Sequence, residues 1–120
     1  MTVADDIPVL PGIDTSCGLK RMMNKPALYE KVLRDFHARF CDEAKAIRNA
    51  IDSGDYTLAE QRAHSAKGLA GTIGALALQQ AAMALEAALR HADQPPEDIF
   101  ASFERELDIV IAGIATGFRI

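Results

Sequence analysis

The sequence predicts an all-α protein, an antiparallel four-helix bundle with an additional short N-terminal helix. Three observations support this prediction. Apolar residues recur every three or four positions through most of the chain, which is the spacing of amphipathic helices, and no stretch shows the alternation of a strand. Short turns separate the predicted helices, which favours antiparallel neighbours. A length of 120 residues, 49% of them hydrophobic, suits one domain.

The chain is predicted to begin with a linker at residues 1–12, which contains two prolines. The bundle domain is predicted over residues 13–120. Asp14 or Thr15 is a candidate cap for a short helix that runs to about Met23.

The next segment predicts one long helix over residues 26–52, beginning at a proline. Its apolar stripe consists of Leu28, Val32, Phe36, Phe40, Ala44, Ile47 and Ile51. A Ser-Gly-Asp turn signal then ends it. Three more helices are predicted over residues 56–73, 75–91 and 94–118, the last opened by a pair of prolines.

Within the helix predicted over residues 56–73, His64 lies opposite the apolar side chains. At about 100° per residue, these fall within an arc of about 140° whose centre is about 170° from His64. They are Leu58, Ala59, Ala63, Ala66, Leu69, Ala70 and Ile73. We therefore expect the imidazole to face solvent, where a partner can reach it. Arg62 falls within the apolar arc, and we expect its stem to pack while its guanidinium reaches water.

The residues that share the helix surface with His64 are Glu60, Gln61, Lys67 and Gly68. Lys67 could place its ammonium beside a charged group on the ring, and Gly68 leaves the approach open. Gly68, Gly71 and Gly74 each cost a helix up to about 1 kcal/mol relative to alanine. This cost suggests that a partner comes close, although Gly74 is equally explained as a helix terminator.

The run His64-Ser65-Ala66-Lys67-Gly68, followed by Ala70-Gly71-Thr72-Ile73-Gly74-Ala75, resembles the signature of histidine-containing phosphotransfer (HPt) domains. Leu10-Pro11-Gly12-Ile13-Asp14 resembles the lead-in to such domains in hybrid sensor kinases, and residues 82–86 resemble their following helix. The resemblance implies a bundle that carries phosphohistidine. It would exchange phosphoryl groups with aspartates of response-regulator receiver domains, with a sensor histidine kinase as a second class of partner, and would use no nucleotide of its own.

The resemblance also implies roles for individual residues. His64 would react through Nε2, Lys67 would offset the phosphoryl charge, and Glu86 would orient Nδ1. Related domains often have glutamine where this chain has Glu86, so a plain solvated helix residue is the alternative there. Mg²⁺ would come from the receiver, and the chain itself is expected to need no cofactor. The predicted partner-binding residues are Ile13, Leu19, Met22 and Met23 in the first helix, and Glu60, Gln61 and Gly71 around His64. Core packing is the alternative for Leu19, Met22 and Met23.

Composition excludes several other classes. A formal charge of −4 without a Lys/Arg cluster argues against nucleic acid as the main partner. No apolar run approaches the roughly 18 residues of a membrane span. Cys17 and Cys41 lack metal-ligand spacing and are expected to be free thiols in a cytoplasmic protein, which we expect to be a monomer.

Two alternatives to phosphotransfer with receivers stay open. A helical adaptor would bind receivers without accepting phosphate. The phosphoacceptor domain of a chemotaxis-type histidine kinase would take phosphate directly from an ATP-bound kinase domain. A metal or haem bundle is disfavoured because the Glu-x-x-His pairs of such bundles are missing.

Overall fold

A computed structural model describes residues 7–120, which form six helices. They are α1 (Thr15–Arg21), α2 (Pro26–Phe40), α3 (Glu43–Asp52), α4 (Tyr56–Ile73), α5 (Leu76–Arg90) and α6 (Glu97–Phe118). No strand occurs among residues 7–120. The α2 and α3 segments together supply one member of the bundle, α4, α5 and α6 supply the other three, and α1 is the additional short helix. The predicted fold class is confirmed.

Side-chain contacts between the helices show that neighbours run antiparallel. Along α4 and α5 the facing pairs are Gly71 with Gln79, His64 with Glu86, and Glu60 with Arg90. Residue numbers therefore rise on one helix as they fall on the other. The same holds between the α2–α3 member and α6. Arg34 reaches the Phe118 carbonyl at one end, and Arg48 reaches Glu97 at the other.

The core combines small residues on α4 with larger ones on the helices around it. Ala59, Ala63, Ala66 and Ala70 are fully buried, so α4 can lie close to its neighbours. Opposite them pack large side chains that include Tyr29, Leu33, Phe40, Leu85 and Phe103. The apolar arc predicted for α4 is confirmed at its alanines and at Ile73. It is wrong at Leu58, which is 41% exposed.

The single helix predicted over residues 26–52 is wrong. The chain turns at Cys41 and Asp42, so that α2 ends at Phe40 and α3 begins at Glu43. Apolar spacing continues from Phe40 to Ala44 across this turn, and neither proline nor glycine marks it. The apolar periodicity therefore gave no indication that the helix breaks between α2 and α3. Leu28, predicted on the stripe, is 41% exposed, and Tyr29 and Leu33 occupy the core instead.

The described part of the predicted linker, residues 7–12, packs along α6, while residues 1–6 lie outside the described residues. Ile7 and Leu10 are buried. A Cβ atom added at Gly117 would lie 2.5 Å from Leu10 Cδ2, and one at Gly113 would lie 2.9 Å from a Pro11 side-chain carbon. Residues 7–12 can approach α6 this closely because Gly113 and Gly117 have no side chains.

The turn between α4 and α5 is fixed from two sides. Gly74 adopts a left-handed conformation with φ of 86° as the C-cap of α4, which confirms its interpretation as a helix terminator. Its carbonyl accepts from the Asp14 backbone N–H at 2.8 Å, where α1 begins. The buried Tyr29 hydroxyl donates to the Ile73 carbonyl at 2.6 Å. These contacts hold the C-terminal end of α4 against α1 and α2.

None of the helices in the described part of the chain combines the length and apolar character that a membrane crossing requires.

Candidate functional site

α4 carries His64 on its outer face, where 65% of the side chain is exposed. The helix begins at Asp55, whose carboxylate accepts from the Leu58 backbone N–H at 3.0 Å, and it ends at the Gly74 cap. Caps at both ends and a fully buried alanine face fix the rotation of α4 about its axis. The exposure of the imidazole follows from this rotation, as the helical spacing predicts.

The ring of His64 is oriented by α5. Its Nδ1 lies 2.5 Å from Glu86 Oε2. An ionised carboxylate can only accept hydrogen bonds, so this contact assigns the ring proton to Nδ1 in the neutral imidazole. Nε2 then keeps its lone pair and is free to act as a nucleophile.

Glu86 is a buried carboxylate with two close partners. Only 6% of the residue is exposed, which excludes the solvated alternative for this position. Lys67 Nζ donates to its second oxygen, Oε1, at 2.7 Å. This bond is the largest influence on the pKa of Glu86, which is lowered despite the opposing effect of burial, and His64 lowers it further. Glu86 is therefore ionised at neutral pH.

Lys67 lies one helical turn beyond His64, as predicted, but its side chain is directed to Glu86. The side chain is 27% exposed, and its ammonium is bound to the carboxylate. Lys67 therefore contributes to the site chiefly by holding the charge that orients the imidazole.

A second ion pair borders the site and was missed by sequence reasoning. Arg90 Nε donates to Glu60 Oε1 at 2.8 Å, and Arg90 Nη2 lies 3.9 Å from Glu86 Oε2. Together with His64 these residues line an open hollow of about 450 Å³ between α4 and α5. The spacing of four residues between Glu86 and Arg90 was an available signal for their proximity.

The glycines near His64 differ in their surroundings. Gly68 is exposed, and a Cβ added there would meet no atom within 4 Å, so the surface beside the ring is open. Gly71 is buried beneath the side chain of Gln79, whose Nε2 would lie 2.3 Å from an added Cβ. Gly71 is therefore covered in this conformation, and the partner contact there stays a prediction. Gln61 is exposed, whereas Glu60 is half-buried and held by Arg90.

The four partner-binding candidates around α1 also separate by burial. Leu19 is 5% exposed and belongs to the core, which supports the packing alternative for it over the predicted contact. Ile13 and Met22 are half-buried against the core, while Met23 is 68% exposed. Met23 is the candidate that offers most of its side chain to a partner.

Another charged pair lies on the side of α4 that faces α2 and α3. Arg62 Nε is buried 3.2 Å from Glu43 Oε2 without a hydrogen bond, while the arginine side chain as a whole is 40% exposed, which agrees with the expected packed stem. Burial raises the pKa of Glu43, while the guanidinium groups of Arg62 and Arg39 oppose the rise. Sequence reasoning missed Glu43 because the break before α3 was not visible.

In the described part of the chain, no group of three or more His, Cys, Asp or Glu side chains is placed to hold a metal ion.

Comparison with known protein families finds a match. The model of the Hpt domain matches residues 31–114, a segment that includes α3, α4, α5 and most of α6 and contains both His64 and Glu86. No curated protein and no solved structure shows a significant match. Hpt domains function in phosphotransfer within two-component signalling and typically interact with response-regulator receiver domains. Because the match covers more than half of the chain, and the helical bundle agrees with it, the chain belongs to the Hpt domain family.

Proposed function

We propose that this protein is a histidine phosphocarrier that exchanges a phosphoryl group between His64 and aspartates of receiver domains. One observation carries the proposal. An exposed imidazole is held through Nδ1 by a buried, ionised carboxylate, which leaves Nε2 as its free nitrogen. Membership of the Hpt family supports the same assignment.

The proposed step is a displacement at phosphorus. The Nε2 lone pair attacks, the N–P bond forms, and the P–O bond to the receiver aspartate breaks as the carboxylate leaves with its electron pair. The ring keeps its proton on Nδ1 and gains a positive charge. Glu86 stabilises that charge because its carboxylate already accepts from Nδ1. In the reverse step an aspartate carboxylate attacks phosphorus and the neutral ring leaves.

The partner supplies the other groups that the reaction needs. Mg²⁺ and the acidic pocket that binds it belong to the receiver, and this chain has no ATP-dependent kinase activity of its own. We propose further that it acts in the cytoplasm as a monomer.

The direct test is phosphoryl transfer from several receivers charged with acetyl phosphate and Mg²⁺. Intact-mass analysis at neutral pH should show the gain of one acid-labile phosphoryl group. Binding without transfer, from receivers shown to be charged, would favour the adaptor. A parallel reaction with an ATP-bound kinase domain tests the chemotaxis-type alternative, which transfer from the kinase domain alone would favour.

Replacing Glu86 with glutamine should lower the rate of phosphoryl acceptance about tenfold, which corresponds to roughly 1.4 kcal/mol in the barrier. The amide oxygen can still accept from Nδ1, but the negative charge that stabilises the phosphorylated ring is lost. Rapid-quench measurements with one charged receiver would give the rate. Glu104→Gln, an exposed position on α6, is the matched control. Equal rates for the two variants would refute the role of Glu86.

Substitutions at Gly68 should separate helix stability from partner access. Gly68→Ala and Gly68→Gln should both raise the free energy of unfolding by up to about 1 kcal/mol, because the added side chain meets nothing and glycine is a poor helix former. Only Gly68→Gln should strongly slow transfer from a receiver. Labelling by phosphoramidate, a small donor, should be unchanged in both variants. If glutamine leaves receiver transfer intact, the partner does not approach over Gly68.

A further inference from the structure

We propose that Arg90 is a phosphate-binding residue of the phosphorylated state, and that Glu60 holds it beside the site until the phosphoryl group arrives. This inference rests on the proposed function of His64. It concerns the hollow between α4 and α5, on the side of His64 where Glu60 lies.

The site has an excess of negative charge once His64 is phosphorylated. A phosphoryl group brings close to two negative charges at neutral pH. Glu86 is already ionised beside the ring, and Lys67, the nearest cation on α4, is committed to Glu86 Oε1. The positive charges of the ring and of Lys67 therefore do not neutralise the combined negative charge of the Glu86 carboxylate and the phosphoryl group.

Arg90 is placed to supply the missing charge. Its Nη2 lies 3.9 Å from Glu86 Oε2, the oxygen that His64 Nδ1 contacts at 2.5 Å, so the guanidinium and the imidazole share one partner atom. Its side chain is 54% exposed and lines the same hollow as the ring. A guanidinium offers paired N–H donors that fit two oxygens of one phosphoryl group.

The present partner of Arg90 is easily exchanged. Glu60 holds Arg90 Nε at 2.8 Å in an ion pair at the surface, in which the arginine side chain is 54% exposed, and such pairs are weak. Glu60 lies one turn before His64 on α4, so the guanidinium that it holds is already on the side of the hollow next to the ring.

The test measures the proton affinity of the phosphoryl group itself. Phosphoramidate charges His64 without any receiver, in a background carrying His37→Gln and His91→Gln so that one of the three histidines remains. A ³¹P NMR titration then follows the pKa of the phosphoryl group. A bound cation favours the dianion and lowers this pKa. Arg90→Ala should therefore raise the proton affinity about threefold, the size expected of a solvent-exposed ion pair.

Three further variants make the result specific. Arg90→Lys should retain part of the effect, and Glu60→Gln should lower the proton affinity because it frees Arg90. Arg105→Ala is the matched control, since Arg105 lies on α6 and contacts Ser102. Equal titrations for Arg90→Ala and Arg105→Ala would overturn the inference. Failure of transfer from receivers would refute the proposed function alone, because phosphoramidate labelling does not depend on a receiver.

Discussion

Replacing His64 with glutamine is expected to abolish phosphoryl acceptance from every donor while changing the free energy of unfolding by only about 0.5 kcal/mol, as is usual for a surface substitution. The side chain is 65% exposed, and its polar contact is the bond to Glu86. Glutamine can donate an amide N–H to the same carboxylate but provides no nucleophilic nitrogen. Glu86 also keeps Lys67 as a partner, so its charge stays paired.

Intact-mass analysis after incubation with charged receivers, together with urea unfolding, measures both parts of this expectation. His37→Gln and His91→Gln are the matched controls and should be labelled as the wild type is. Labelling of His64→Gln would place the acceptor elsewhere. A large loss of stability would contradict the exposed position of the ring.

Replacing Gly74 with alanine is expected to lower the free energy of unfolding by about 3 kcal/mol, the largest effect on stability that we predict. Left-handed backbone at a residue with a Cβ costs about 1–2 kcal/mol. The added carbon would also lie 2.3 Å from the Asp14 backbone oxygen, and crowding of this kind costs about 1–3 kcal/mol. Since the contact is with backbone, relief requires α1 to move away from α4.

Gly54 provides the control that separates these two costs. Its φ of 80° is close to the 86° of Gly74, but a Cβ added there meets no atom within 4 Å. Gly54→Ala should therefore show only the conformational cost of about 1–2 kcal/mol. The difference between the variants, measured by urea unfolding, gives the cost of the contact with Asp14. Equal losses would show that α1 yields without penalty.

The sequence was sufficient to predict that His64 is exposed, because α4 has a single apolar face. Its small buried residues repeat at helical spacing, so the direction opposite them is defined without any other helix. The break between α2 and α3 could not be predicted, since Phe40 and Ala44 keep the apolar spacing across it. Nothing in the pattern distinguishes a continuous helix from two short ones there.

Contacts between helices were harder to predict from the sequence than the buried and exposed faces of each helix. The pairing of Glu60 with Arg90 depends on the register between α4 and α5, which the Gly74 turn and core packing set and periodicity does not. The direction of Lys67 depends on the same register, because Glu86 must lie opposite to attract it. Two prolines supported the prediction of a linker over residues 1–12, and residues 7–12 contain no helix. They gave no indication that glycines in α6 provide a place for that segment to pack.

The short turn at Gly74 also bears on the order of events when the protein folds. His64, Lys67, Glu86 and Arg90 all lie on α4 and α5, which are consecutive helices in direct contact. Contacts that are local in sequence form with little loss of chain entropy and favour rapid folding. We expect the helical hairpin to protect its amide hydrogens as one cooperative unit in hydrogen exchange. Any partly folded state that retains this hairpin would then already contain the complete set of groups around the imidazole.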